Sequence, residues 1–222
     1  SEKWHYIPNG INMDEWENQI DLSIEIQIKL SDLKEKGYFL IGYTGSIGLA
    51  NALDNFLNAS KGLLNQKVMF VIVGHGPEKE RLKTRKDNEK LENVVFIDAV
   101  PKQSIPNLLK YFDVLYIGLQ KQPLFRFGIS PNKLLDYMMA GKPIIQAIDA
   151  GNDMVSEASC GLSINAENPE VLISAIKKML AFSDEERKVL GENGKKFVQR
   201  NHDYKMLAEK MLDIFKTEKI SA

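Results

Sequence analysis

The run Ser130-Pro131-Asn132-Lys133, with Asp136 just beyond it, has the make-up of an anion-binding helix start carrying an acid one turn inside. Serine suits the N-cap, and proline suits the first helical position, where its missing N–H costs nothing. The amides of Asn132 and Lys133 are then open at the terminus, with partial positive charge behind them, and such an end receives phosphate-like anions. At ~100° per residue, Asn132, Lys133, Asp136 and Ala140 share one face, and Leu134, Leu135, Met138 and Met139 share the buried one. A carboxylate placed there can accept from two vicinal hydroxyls, as in a ribose, while a diphosphate sits at the helix end. Taken alone, the plainer reading is a capped surface helix whose Asp136 pairs with Lys133 at i,i+3.

Other stretches are weaker by themselves. Gly42, Gly45 and Gly48 in "GYTGSIG" fit neither the dinucleotide fingerprint nor a P-loop, so a tight turn is the simpler account, although glycine lets Gly45 and Ser46 approach a ligand closely. "VGHGP" also reads as a turn, with His75 a loop histidine. Extended backbone at Ala99 and Val100, just before Pro101, offers unpaired groups of the kind that can face a nucleobase. Arg126, set between Phe125 and Phe127, is a guanidinium able to fork onto phosphate oxygens, with Lys121 near in sequence. The basic run "KERLKTRK" reads as the wet face of a helix.

These residues need a scaffold, and the chain spells one. Mostly apolar runs are predicted as strands: "HYIP", "YFLIGYTG", "VMFVIVG", "VVFID", "DVLYIGL", "PIIQAID" and "GLSIN". Amphipathic helical segments lie between most of them, which predicts parallel βαβ units and a Rossmann-like, doubly wound α/β fold. Three helices are predicted from Pro169 to about Lys216, the last with Leu207, Met211, Ile214 and Phe215 in one stripe. The acidic segment 12–36 has mixed periodicity and no clear place. In this architecture ligands bind beyond the carboxyl ends of the strands, where the candidate loops gather.

Composition narrows the function. The 222 residues are 44% hydrophobic with a formal net charge of −1, which argues against a nucleic-acid binder. A lone cysteine, Cys160, allows no intrachain disulfide and fits a reducing compartment. No two of His5, His75, His202 and Cys160 stand at metal-ligand spacing, so no structural metal is expected. No run approaches the ~20 apolar residues that span a bilayer. The opening "SEKWHYIPNGI" lacks Met and reads as the interior of a longer protein.

Taken together the blocks resemble the C-terminal half of a GT-B-fold, retaining group 1 glycosyltransferase. "YIPNGI", "FVIVGHGPEKERLK" and "VVFIDAVPKQSIPNLLKYFDVLYI" follow the family's order. "SPNKLLDYMMAGKPII" is similar to its nucleotide-sugar helix, in a Ser-Pro-Asn-Lys version found in bacterial surface-polysaccharide enzymes. The resemblance covers nearly all of residues 1–222 except the variable insertion 12–36. It implies a donor-binding domain for a nucleoside diphosphate sugar, expected to be a UDP-sugar, acting without cofactor or metal in polysaccharide or glycolipid assembly. Asp136 then falls at the family's second motif glutamate, which holds the ribose. Ser130 opens the helix, the amides of Asn132 and Lys133 receive the diphosphate, Ala99 and Val100 face the base, and Gly45 and Ser46 approach the phosphate or sugar. Arg126 and Lys133 are the candidate leaving-group stabilisers. The resemblance implies an acceptor domain outside these residues, so the chain is expected to bind UDP weakly and to transfer nothing alone. Its last helix is expected to favour self-association. The implied location is the cytoplasm, with the whole enzyme a peripheral protein at the inner face of a bacterial plasma membrane.

Two departures accompany the resemblance. The first motif glutamate is replaced by Gly128, and the basic pair common near the first glycine loop is missing. A non-catalytic nucleotide-sugar-binding subunit and a sugar-nucleotide epimerase therefore stand as alternatives.

Overall fold

A computed structural model describes residues 5–220, the side chains of 217–220 excepted. Six strands form one parallel sheet: β1 (Phe39–Thr44), β2 (Val68–Val73), β3 (Val94–Ile97), β4 (Val114–Gly118), β5 (Ile144–Ala147) and β6 (Gly161–Ile164), in the order β3-β2-β1-β4-β5-β6. The central strands are almost wholly apolar because both faces are covered, while the edge strands β3 and β6 are only partly buried. Every residue of β2 and β4 is buried. Alternate side chains feed two cores: Leu40, Val71 and Leu115 point to one, and Ile41, Phe70 and Tyr116 to the other.

The first core is roofed by α2 (Ile24–Glu35), α5 (Ile105–Leu109), α6 (Asn132–Met139) and α7 (Met154–Glu157), and the second by α3 (Leu53–Lys61), α4 (Lys79–Asn88) and α8 (Pro169–Ala181). The helix α9 (Asp184–Asn201), opened by a Ser183–Glu186 capping box, packs on α6, and α10 (Tyr204–Ile220) follows. A doubly wound α/β fold with C-terminal helices is what the sequence pattern predicts.

Three expectations change. "HYIP" forms no strand: Lys210 donates to the Tyr6 carbonyl at 3.0 Å, and the first strand-like pairing is a single parallel bridge of Ile11 to Asp203, with the Ile11 amide donating to the His202 carbonyl at 2.8 Å. The unplaced segment 12–36 supplies a short α1 (Asp14–Glu17) and α2. Its periodicity is blurred because Ile24 and Ile28 are exposed while Leu30 is wholly buried. The basic run of α4 is more than a wet face. Lys79 is buried and donates to the Gly74 carbonyl at 2.9 Å and to Asp98 Oδ1 at 2.5 Å, and Arg81 and Arg85 both hold Asp54.

In α10, Leu207 is buried while Met211, Leu212 and Phe215 are exposed, so the predicted stripe is only half covered. Among the described residues no helix is long and apolar enough to cross a membrane.

Candidate functional site

A parallel sheet brings every βα loop to one edge, and here those loops are stitched together. The Gly45 amide donates to the Val73 carbonyl at 2.9 Å, Ile47 to His75 at 2.8 Å, and Gly74 to Ile97 at 3.1 Å. A Cβ on Gly74 would lie 1.9 Å from the Gly45 carbonyl oxygen, at φ +154°. Both glycine turns, unremarkable singly, are therefore one packed unit. Replacing Gly74 with alanine should cost about 3 kcal/mol in stability through clash and strain, read as a lowered urea midpoint; an unchanged midpoint would show that the loops can part freely.

The helix α6 begins one residue later than expected. Pro131 is its cap, extended at ψ 120° and with no side-chain capping bond, so Ser130 is not the N-cap. A residue followed by proline is held extended, and Ser130 instead offers its carbonyl to Asn9 Nδ2 at 3.2 Å. The terminus itself is open. Asn132 is exposed, Leu134 is the first residue to bond back, to Pro131, and no acceptor is taken up by the amides of Asn132 and Lys133 among the described residues.

Lys133 turns inward from this terminus. Its Nζ donates to Tyr43 Oη at 2.7 Å and to Asn51 Oδ1 at 3.1 Å, and it lies 4.2 Å from the centre of the Tyr43 ring. A Cβ on Gly45 would sit 3.0 Å from the ammonium. The Tyr43 hydroxyl in turn donates to the Ser46 carbonyl at 2.5 Å. Helix, lysine and glycine loop are thus one hydrogen-bonded set, clamped from beneath by the Thr44 amide donating to Tyr137 Oη at 2.7 Å. Burial lowers the Lys133 pKa to about 8. Both of its partners are neutral, and no ion pair forms with it among the described residues, which leaves a half-buried cation lacking a counter-charge.

Asp136 meets different neighbours, so the face predicted to carry both it and Lys133 is divided between two surroundings. Asp136 lines a cleft of about 290 Å³ with Trp16, Lys102, Gln103 and Pro106. Burial raises its pKa to about 6, with Lys102 opposing and Glu15 adding to the rise. Its carboxylate makes no hydrogen bond or ion pair among the described residues. The i,i+3 pair with Lys133 is therefore not formed.

The remaining candidates are distributed as follows. Ala99 and Val100 lie at the mouth of β3, and their backbone groups are unpaired among the described residues; the Asp136 cleft, however, is walled by Lys102 and Gln103 instead. Gly45 and Ser46 are exposed beside Lys133. Arg126 is exposed, stacked 4.5 Å from the Phe127 ring, and lines a separate depression of about 740 Å³ with Asp149 and Asn165. No hydrogen bond or ion pair joins it to the Lys133 set among the described residues. Sequence reasoning missed Tyr43, Asn51, Glu15 and Lys102. Tyr43 sits in an apolar strand run, and only the fold shows that its hydroxyl leaves the core. No group of three or more His, Cys, Asp or Glu that could hold a metal occurs among the described residues.

Gly128, at the first motif position, has φ +101° and ψ 161°, a region open essentially to glycine alone. A Cβ there would lie 3.2 Å from Asn152 Oδ1, which accepts from the Ile129 amide at 2.8 Å while Asn152 Nδ2 donates to the Ile129 carbonyl. The loop is built around the glycine. Gly128→Glu should therefore lower stability by about 1–3 kcal/mol without improving donor affinity; tighter UDP binding by that variant would contradict this account.

The strand order and the loop edge define one half of a GT-B molecule. The chain belongs to the family of glycosyl transferases group 1, whose model matches residues 12–197 and so runs through the segment 12–36 as well. Curated relatives include a glycosyltransferase, MJ1069, of Methanocaldococcus jannaschii, 25% identical over 76% of this chain and 41% of that protein. A protein named as a candidate colanic acid biosynthesis glycosyl transferase, WcaI of Escherichia coli, is 25% identical over 79% of this chain and 43% of that one. The chain thus spans about two fifths of the length of these relatives. Among solved structures, Anabaena HepE in complex with UDP-glucose superposes with a TM-score of 0.75 over 95% of this chain and 57% of that one, at 16% identity, a likeness of fold.

Proposed function

We propose that this chain is the donor-binding half of a retaining glycosyltransferase that moves a sugar from a nucleoside diphosphate sugar, a UDP-sugar by preference, onto a saccharide or lipid-linked acceptor in surface polysaccharide or glycolipid assembly. The observation that carries the reading is that one helix, α6, sets an uncompensated ammonium (Lys133) beside the open amides of its first turn and an unpaired carboxyl (Asp136) in the adjacent cleft. A diphosphate needs the first pair of features and a ribose diol needs the last. In transfer, negative charge grows on the departing diphosphate oxygen, and preoriented amides and a desolvated lysine stabilise that charge more than they stabilise the bound sugar nucleotide. Membership of the family, the HepE complex with UDP-glucose and the WcaI relationship support the donor class and the polysaccharide setting.

Titration calorimetry with UDP, GDP and ADP, using Asp136→Ala as control, tests the assignment. UDP should bind with micromolar to millimolar affinity, and the variant should bind it at least tenfold more weakly. Equal binding of UDP by both proteins, or no binding of any of the three, removes the proposal. The rival reading, a subunit that binds nucleotide sugars without transferring them, draws on Gly128, because the loop conformation excludes the missing glutamate. Transfer by the full-length protein carrying this domain decides between the two.

A further inference from the structure

The cleft that holds Asp136 is not built from the sheet loops alone. Its outer wall is the stretch around α1, and its floor is the turn that opens α5. The two are laced together: Ile20 donates its amide to the Gln103 carbonyl at 3.1 Å, and Asn107 Nδ2 donates to the Ile20 carbonyl at 3.1 Å. At the far end Lys205 of α10 holds Asp14 at 2.9 Å. The wall is therefore preformed. Trp16 and Pro106 supply apolar surface, and the rim carries one ion pair, Lys102 Nζ to Glu15 Oε2 at 2.5 Å.

Resting on the donor reading above, we propose that Lys102 and Glu15 read the edge of the donor's nucleobase, so that the segment around α1 sets base specificity. Beside a diol-gripping acid, apolar walls closed by one donor and one acceptor suit a flat ring whose edge carries a carbonyl next to a ring N–H. Lys102 donates to the carbonyl oxygen and Glu15 accepts from the N–H. Uracil presents that edge and so does guanine; adenine's edge runs the other way, its ring nitrogen accepting and its amino group donating. Uracil or guanine replaces the partner that Lys102 and Glu15 each lose on parting, whereas adenine sets a donor against the lysine and an acceptor against the glutamate.

The test is calorimetry with UDP, GDP, ADP and inorganic pyrophosphate on the unaltered chain and on Lys102→Met and Glu15→Gln, both rim substitutions on exposed side chains. The unaltered protein should prefer UDP or GDP to ADP by at least tenfold. Each variant should lose about tenfold in affinity for the preferred nucleotide, the scale of one hydrogen bond to a charged group, and bring its ratio to ADP toward unity with pyrophosphate binding unchanged. If the ratio survives both substitutions while Asp136→Ala still weakens UDP, the base is read elsewhere and this inference fails with the donor site intact. If UDP binds no better than pyrophosphate to the unaltered chain, both fall together.

Discussion

Lys133→Met should weaken UDP binding by about 10- to 100-fold, the loss expected when one charge-assisted contact to a diphosphate is removed. The same interaction should show itself through pH without any mutation. The Lys133 pKa is lowered by burial from 10.5 to about 8, so the fold disfavours its protonated form. The unfolded chain then binds more protons than the native one between about pH 8 and 10.5, and stability gains from this lysine as pH rises through that window. Ligand affinity must run the other way. Above about pH 8 the free protein has to take up a proton to bind a diphosphate, so affinity should drop by up to tenfold per pH unit. Calorimetry in buffers of different ionisation enthalpy should register that proton uptake. Lys133→Arg, which stays charged, should flatten the profile even where its geometry weakens binding. A flat profile for the unaltered protein between pH 7 and 9.5 would mean that the ammonium does not meet the phosphates.

Asp136→Asn should do two things of opposite sign: raise stability and lower affinity. Burial lifts this carboxyl from 3.8 to about 6. A raised carboxyl pKa stabilises the fold below about pH 3.8, and that contribution is lost as pH rises through about 6, so at neutral pH the ionised group is a burden on the native state. Allowing for solvent on its open side, the burden is about 1–3 kcal/mol. Asparagine removes it, and the melting temperature at pH 7.5 should rise by several degrees, with the gain vanishing near pH 4. UDP affinity should fall at least tenfold, because an amide offers the diol one acceptor oxygen where the carboxylate offers two. Pyrophosphate affinity should stay as it was. A variant that melts lower and binds UDP unchanged would make Asp136 a structural group. Such a trade of stability for binding marks a functional carboxylate.

The α/β architecture and the existence of α6 were legible because both depend on local periodicity. Strands such as "VMFVIV" are apolar at every position, and the buried face of the helix, Leu134, Leu135, Met138 and Met139, follows from its turn. Boundaries set by a single residue's backbone were not legible: Ser130 looks like a cap, yet Pro131 takes that place. "HYIP" has strand composition but finds no strand to pair with, and its Tyr6 carbonyl accepts from Lys210 of α10 instead. The segment 12–36 resisted reading because its burial is set by what lies across from it, not by its own period.

The sequence by itself determined that a parallel sheet would carry an open helix start with an acid one turn in, since those properties need only neighbours along the chain. Only the tertiary structure decided which way Lys133 points, through Tyr43 and Asn51, 90 and 82 residues away. Only it showed that Gly74 yields to Gly45, and that Glu15 meets Lys102 across the Asp136 cleft. The physical reason is the range of the forces involved. Helical and strand patterns arise from backbone geometry a few residues wide, whereas the charge state of a buried lysine or carboxyl depends on what distant segments remove from water or bring within a few ångströms.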